Sequence, residues 1–213
     1  MKVFKIKIEN YRLLKNFSMD LEKELSLVIG KNNTGKTSIL KVLDKFLGQP
    51  DRNKFSFDDF NIDFKKELKA KIEAKEEISE EDYKRLGIRL RLFIDYTEID
   101  NLSNISRVMM DLNPDNNVIV LGFEYTIDFA GYSRIRKEYR EFEAKEKKKK
   151  QAKPDYSTIS VYDFLRLYHT DYFRINKRSL AYDPATKQAS EYPSINCFCK
   201  RFKPPPCRRV TFC

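Results

Sequence analysis

The stretch at residues 25–48, LSLVIGKNNTGKTSILKVLDKFLG, constrains the fold more than any other part of this 213-residue chain. It begins with an almost wholly apolar run, which is typical of a strand buried on both faces of a sheet. It continues through a glycine-bounded loop into a segment whose apolar residues recur at helical spacing. Gly48 and Pro50 then predict the end of that helix. The sequence therefore predicts a strand–loop–helix unit whose strand is central and buried.

The loop of this unit matches the pattern G-x-x-x-x-G-K-[ST] through Gly30, Gly35, Lys36 and Thr37. Glycines in such a loop let backbone N–H groups turn towards phosphate oxygens, and the following helix adds the positive end of its dipole. Lys36 is predicted to bridge the β- and γ-phosphates, and the Thr37 hydroxyl is predicted to bind Mg²⁺, which prefers oxygen ligands. The alternative is a glycine-rich turn without a ligand. No Asn-Lys-x-Asp motif is present, which argues against a GTPase.

Apolar and polar residues alternate at residues 4–9 and 17–21, which predicts two strands joined by a turn at residues 10–16. Further strands are predicted at residues 88–94 and 118–127. Helices are predicted around residues 64–72, 79–87, 98–112, 132–153 and 158–170. Arg89 and Arg91 indicate that the strand at residues 88–94 has one solvated face and is not central in the sheet. The pattern as a whole predicts an α/β fold.

The N-terminal sequence KIKIENYRLLKNFSMDLEKELSLVIGKNNTGKTSILKVL resembles the ATPase segment of the SMC/RecF-like ABC ATPases. It is most similar to the overcoming-lysogenization-defect (OLD) family of AAA ATPases, which includes the ATPase–nuclease component of Gabija-type phage defence. The turn Asn10-Tyr11-Arg12 and the loop GKNNTGKTS carry this resemblance. It implies the N-terminal lobe of a P-loop NTPase, with an incomplete mixed sheet and flanking helices.

The resemblance also implies a site for ATP and Mg²⁺. The implied nucleotide-binding residues are Gly30, Asn32, Asn33, Thr34, Gly35, Lys36, Thr37, Ser38 and Arg12, with Thr37 as the metal ligand. Arg12 is expected near the nucleotide, although an arginine in a turn is alternatively a solvated surface residue. Asn33 replaces the glycine of many SMC-like loops, and asparagine tolerates a left-handed backbone. A full-length member would be a homo-oligomer that couples ATP binding and hydrolysis to DNA processing, as an endonuclease in phage defence or in repair.

Two further parts of an ABC-type ATPase site are not recognisable in the sequence: a Walker B strand ending in Asp-Glu, and a signature helix rich in Ser and Gly. Phosphoryl transfer needs these parts together with the loop. Asp95 in LFID and Asp128 in YTID are followed by Tyr96 and Phe129 instead of Glu, and both are interpreted as ordinary acids at strand ends. No Toprim nuclease motif is found either. We therefore expect this chain alone to hydrolyse ATP poorly or not at all.

Composition predicts three regions: an ATPase lobe at residues 1–130, a helical arm-like extension at residues 131–189, and an atypical tail at residues 190–213. All four cysteines lie in the tail, together with KPPP. This change favours a disordered or frame-shifted extension that follows a truncated domain. A zinc site with four cysteine ligands is the alternative, although the C-x₂-C pairs of the strong pattern are missing.

The formal net charge of +10 favours polyanionic partners, although a lysine run such as residues 147–150 is more often a solvated helix face. A second hypothesis is therefore a basic module that binds nucleic acid or another partner and has a vestigial loop. The lone His169 is interpreted as a packing or solvated residue. Since no signal peptide or long apolar run is present, the sequence predicts a cytoplasmic protein without membrane contact.

Overall fold

The computed structural model describes residues 1–32, 34–48, 55–74, 83, 85–97, 100, 102–106, 108–109, 116–153 and 155–190. Its strands are β1 (Lys2–Tyr11), β2 (Leu14–Asp20), β3 (Gly87–Asp95), β4 (Val118–Ile127), β5 (Phe173–Leu180), β6 (Tyr182–Asp183) and β7 (Gln188–Ala189). Its helices are α1 (Lys36–Leu47), α2 (Ile62–Glu73), α3 (Leu102–Ile105), α4 (Phe129–Ala152) and α5 (Val161–Tyr172), with a 3₁₀ turn at Phe57–Asp59.

The main sheet has the strand order β2-β1-β3-β4-β5, and β6 and β7 form a separate hairpin. Every strand pair among the described residues is antiparallel. The predicted α/β class with flanking helices is confirmed, as are the four strands predicted outside the loop unit. The prediction that β3 is not central is wrong, because β3 lies between β1 and β4. Arg91 is only 6% exposed despite lying on a face without helices, since neighbouring strands crowd it from both sides.

The hydrophobic core lies between one face of this sheet and the helices. Alternate residues of β1, β3 and β4 pack there against buried residues of α1, α2, α4 and α5. An aromatic group fills the centre: Phe60 stacks on Tyr125, and both rings pack against Phe173. His169 lies beside these rings and is buried, with Nδ1 3.0 Å from the Leu165 carbonyl oxygen. The interpretation of His169 as a packing residue agrees with this position.

The sequence prediction fails at residues 25–29. The segment was expected to form a central buried strand, yet in the described part of the chain it belongs to neither sheet. Leu25, Leu27 and Ile29 are 57%, 52% and 76% exposed, and only Val28 of the apolar run packs against the core. A strand is buried on both faces only when strands pair along it and other layers cover it, and in the described part of the chain the segment has only a single bridge position at Leu27.

The region at residues 131–189 adds β5 to the sheet, and it adds helices α4 and α5 to the core. The core is therefore continuous across residue 130, and the three-region division stays a prediction. The tail after residue 190, with its cysteines, and the predicted helix start at residues 79–82 lie outside the described residues. The helix predicted at residues 98–112 lies partly outside them. In the described part of the chain, no helix combines the length and apolar character needed to cross a membrane.

Candidate functional site

Helix α1 begins without a side-chain cap. Its N-cap residue is Gly35, whose φ of 92° is in the left-handed region that favours glycine, and its first turn contains no acidic residue. In contrast, backbone N–H groups in the first turns of α2, α4 and α5 donate hydrogen bonds to the cap side chains of Asn61, Asp128 and Ser160. The partial positive charge at the start of α1 is therefore not neutralised by the helix itself. This is the arrangement that an anion-binding helix requires.

The Lys36 side chain folds back over the loop that precedes it. Its amine donates hydrogen bonds to the carbonyl oxygens of Gly30 and Lys31, the second at 3.3 Å. The Thr34 hydroxyl also donates to the Lys31 carbonyl oxygen, at 2.9 Å. These hydrogen bonds close the loop, and they place the Lys36 amine beside the carbonyl oxygen of Gly30, the first residue of the loop. Asn33 lies outside the described residues.

The other predicted loop residues differ in exposure. Asn32 and Thr37 are exposed, whereas Ser38 is buried and its backbone N–H donates to the Gly35 carbonyl oxygen at 2.9 Å. The Thr37 hydroxyl is therefore accessible to a metal ion. Among the described residues, no group of three or more His, Cys, Asp or Glu side chains could hold a metal. The role of Thr37 as a Mg²⁺ ligand stays a prediction.

The two acids considered for a Walker B role have ordinary positions. Asp128 caps α4, and its Oδ1 accepts a hydrogen bond from the Gly131 backbone N–H at 2.6 Å. Asp95 ends β3, where it is exposed and lies opposite Lys2 and Val118. Both positions agree with the interpretation of these residues as acids at strand ends.

The turn between β1 and β2 lies directly against the loop. It is shorter than predicted, because β1 continues to Tyr11 and β2 begins at Leu14. A Cβ atom added to Gly35 would come within 2.9 Å of Leu14 Cδ2, so the glycine permits this close approach. Arg12 itself has a positive φ of 48°, which is uncommon for a residue other than glycine. The structure therefore brings the predicted turn and the predicted loop together.

The Arg12 guanidinium binds Asp59, a residue that the sequence analysis missed. Nε and Nη2 of Arg12 lie 2.9 Å and 2.7 Å from Asp59 Oδ1, and Lys45 Nζ lies 3.0 Å from Oδ2. Lys45 belongs to α1, so the fully buried Asp59 connects the turn to the helix that begins at the loop. The capping-box spacing Ser-x-x-Asp at residues 56–59 is the signal that could have identified it.

The charge of Asp59 is stabilised by its partners. Burial alone would raise the pKa of this carboxyl group, but the Ser56 backbone N–H, Arg12 and Lys45 outweigh burial and hold its pKa below the ordinary value. These contacts therefore favour the ionised form of Asp59, which both cations share as a counter-charge. Burial and the neighbouring Asp59 raise the pKa of Tyr11, whose hydroxyl lies 3.3 Å from Asp59 Oδ1.

Comparison with protein families identifies the chain. The family model AAA_15, an AAA ATPase domain, matches residues 1–196. The chain belongs to this family. Within an AAA ATPase domain, the uncapped start of α1 and the loop before it are the expected location of a nucleotide site. The resemblance to the OLD and Gabija-type ATPase segment is thereby confirmed.

Two curated proteins are similar to this AAA ATPase domain. The endonuclease GajA of Bacillus cereus (strain HuB5-5) is 29% identical over 159 residues, which are 71% of this chain and 21% of GajA. The L-cystine import ATP-binding protein TcyC of Bacillus subtilis (strain 168) is 40% identical over 57 residues, which are 26% of this chain and 23% of TcyC. The chain therefore spans less than a quarter of the length of either relative.

Proposed function

We propose that the loop at residues 30–37 and the start of α1 bind the phosphates of ATP. The observation that carries this proposal is the N-terminus of α1, which has a left-handed glycine, no side-chain cap and no acid in its first turn. The exposed backbone N–H groups and the helix dipole favour a multiply charged anion there. The family match supports ATP as that anion.

The Lys36 amine exchanges partners in this proposal. Without nucleotide, it is satisfied by carbonyl oxygens of its own loop. A bound phosphate offers the amine a charged acceptor, which makes a stronger hydrogen bond than a neutral carbonyl does. The exposed Thr37 hydroxyl would hold Mg²⁺, and the ion would supply charge neutralisation between the phosphates.

Arg12 belongs to the proposed site at its edge. Its turn touches Gly35 through Leu14, and its guanidinium is oriented by Asp59. Replacement of Arg12 by Gln is expected to weaken ATP binding, whereas replacement of the exposed Lys15 at the start of β2 is expected to leave it unchanged. Equal ATP affinity in both variants would exclude Arg12 from the site.

At the level of the whole protein, we propose that ATP binding and hydrolysis are coupled to DNA processing, in phage defence or in repair. The similarity to the endonuclease GajA supports this proposal. It includes a cytoplasmic location and assembly into a homo-oligomer.

The direct test is a titration of the purified chain with a fluorescent ATP analogue in the presence of Mg²⁺. We expect Lys36→Ala to weaken binding at least tenfold, because the phosphates lose their principal cation. Lys41→Ala is the matched control, since Lys41 is an exposed lysine of the same helix, and it should bind like the wild type. Thr37→Ala should remove the dependence of affinity on Mg²⁺. Equal affinities of Lys36→Ala and wild type would refute the proposal.

A further inference from the structure

The sheet has an outer face, opposite the helices, that a short hairpin covers at one end only. Phe93, Val120 and Leu180 form a small apolar cluster there, against which Tyr182 and Ala189 of the β6–β7 hairpin pack. Beyond this cluster, the outer face is charged. Its basic residues are Lys2, Lys5, Lys7, Arg89, Arg91, Arg174 and Arg178, and its acidic residues are Glu9, Asp20, Asp95 and Glu124. Basic side chains therefore outnumber acidic ones on this surface.

One row across the outer face contains only basic charges. The strand registers place Lys7 opposite Arg91, Arg91 opposite Gly122, and Gly122 opposite Arg178. Ser18 continues the row on β2. Like charges on directly opposed residues destabilise a sheet. Repulsion between Lys7 and Arg91 is therefore expected to destabilise the sheet, and the packing of the strands does not require charged residues at these positions.

The neighbouring acids form ion pairs with Lys7, Arg89 and Arg178, and in the described part of the chain they form none with Arg91. Glu9 lies 2.9 Å from Lys7 and 3.5 Å from Arg89, and Glu124 lies 2.7 Å from Arg178 and 3.8 Å from Arg89. The Arg91 charge acts on Glu9 and helps to hold the pKa of that carboxyl group below its ordinary value, against the opposing effect of burial.

Arg91 is the least compensated charge of the row. In the part of the chain that the structure describes, its guanidinium makes neither an ion pair nor a hydrogen bond, and its buried Nε atom has no acceptor. With only 6% of its surface exposed, Arg91 also receives little compensation from water. A buried charge without a close partner is costly unless a ligand supplies the missing acceptor.

We propose that this row of Lys7, Arg91 and Arg178 binds the phosphodiester backbone of nucleic acid across the outer face of the sheet. Lys7 and Arg178 are three strand spacings apart, which corresponds to roughly 14 Å. One free phosphate cannot reach cations over that distance, whereas a polymer with repeated phosphates can. Guanidinium groups suit phosphate oxygens, and the net charge of +10 favours the approach of a polyanion.

This surface adds a nucleic-acid contact to the proposed function but does not depend on ATP binding by the loop. The two can therefore fail separately. If the row binds DNA, Lys36→Ala leaves DNA affinity unchanged. If the loop binds ATP, substitutions in the row leave ATP affinity unchanged.

The first experiment measures binding of a labelled DNA duplex by fluorescence anisotropy across a salt series. We expect Lys7→Gln/Arg178→Gln to lower DNA affinity at least tenfold, and to reduce the slope of log affinity against log salt by about two. The control is Lys148→Gln/Lys150→Gln, which removes the same charge from exposed positions of α4 and should change affinity less than about threefold. Equal losses in the two double variants would overturn the proposal. Preferential competition by a polyglutamate peptide over unlabelled DNA would overturn it in favour of an acidic protein partner.

The second experiment separates a binding role of Arg91 from a structural one. Arg91→Met keeps an unbranched, flexible side chain that can pack at this position, and it removes the buried charge. If the role of Arg91 is to bind a phosphate of DNA, the Tm of this variant should equal or exceed that of the wild type. Its DNA affinity should be at least fivefold lower. A Tm lower by more than about 3 °C, or an unchanged DNA affinity, would show that Arg91 serves the fold instead.

Discussion

Two segments that border the nucleotide loop, at residues 10–14 and 25–29, differ in their contacts with the rest of the chain. The turn at residues 10–14 is fixed by residues distant in sequence: Asp59 binds Arg12, and the Asn61 side chain donates to the Arg12 carbonyl oxygen at 2.6 Å. The segment at residues 25–29 leads directly into the loop and carries three strongly exposed apolar side chains. Both segments border the same loop, yet hydrogen bonds from distant residues hold the turn, whereas only Val28 of the apolar run packs against the core.

This difference shows that an apolar pattern predicts that a segment tends to be buried. The pattern does not predict which part of the chain will cover the segment. The turn buries Tyr11 and Leu14, and its polar groups also find specific partners in the chain. The segment at residues 25–29 has the more continuous apolar sequence, but three of its apolar side chains are more than half exposed. Stability should therefore depend far more on the turn and its partners than on the apolar segment.

The largest effect is expected at Asp59. Replacement by Ala leaves Arg12 and Lys45 without their shared anion, and loss of one partner from a buried ionic group costs about 3–5 kcal/mol. The adjacent Asp58 is a matched control, because its side chain is 66% exposed where it pairs with Lys65 and Arg166. Asp58→Ala should cost less than about 1 kcal/mol. Urea unfolding measures both values, and similar losses would contradict the assigned role of Asp59.

A second pair of variants compares the two segments directly. Leu14 in the turn is 5% exposed and touches Gly35, so Leu14→Ala should lower the free energy of unfolding by about 2–4 kcal/mol. Leu27→Ala should change it by less than about 0.5 kcal/mol, because the side chain is already half exposed. A large decrease in the free energy of unfolding of Leu27→Ala would mean that the Leu27 side chain is buried in the folded protein.

A smaller effect is expected at Gly35. Alanine there would adopt a left-handed backbone and meet Leu14 Cδ2, which together should cost about 1–2 kcal/mol. Gly30→Ala is the comparison, since Gly30 has no positive φ and its added Cβ would meet only the Thr34 hydroxyl closely, at 3.1 Å. In thermal unfolding, Gly30→Ala should have a higher Tm than Gly35→Ala. The reverse order would show that Leu14 can move away from an added Cβ atom at residue 35 with little loss of stability.

The smallest effect is a dependence on pH. The pKa of Asp59 is lower in the folded state than its ordinary value of 3.8, so its stabilisation is present above that value. It is lost as the pH falls through the lower pKa of the folded state, because the unfolded chain then binds the proton more readily. Urea midpoints measured from neutral pH into acid should fall less steeply in Asp59→Asn than in wild type. Identical slopes would assign the acid sensitivity to other carboxyl groups.

The sequence predicts local features of this chain well and long-range partners poorly. Alternation of apolar residues predicts β1 and β2, and the glycine and lysine spacing predicts the loop before α1. The capping-box spacing marks Asp59 as a residue of a local turn, but it does not indicate that Arg12, 47 residues away, is its partner. The central position of β3 was missed for a similar reason. Its arginines indicate a solvated face, but they do not reveal which strands crowd around them.

The topology of the sheet has a consequence for the order of folding. The chain leaves the sheet after β2, carries the loop and α1, and returns only at Gly87 to pair with the free side of β1. Strands β3 and β4 are closer neighbours along the chain, so their pairing closes a shorter loop and costs less entropy. Pairing of β1 with β3 is the slow, non-local step. We therefore expect nucleotide affinity to appear late in refolding, with the closure of the sheet, so that a fluorescent ATP analogue would report when the centre of the fold is complete.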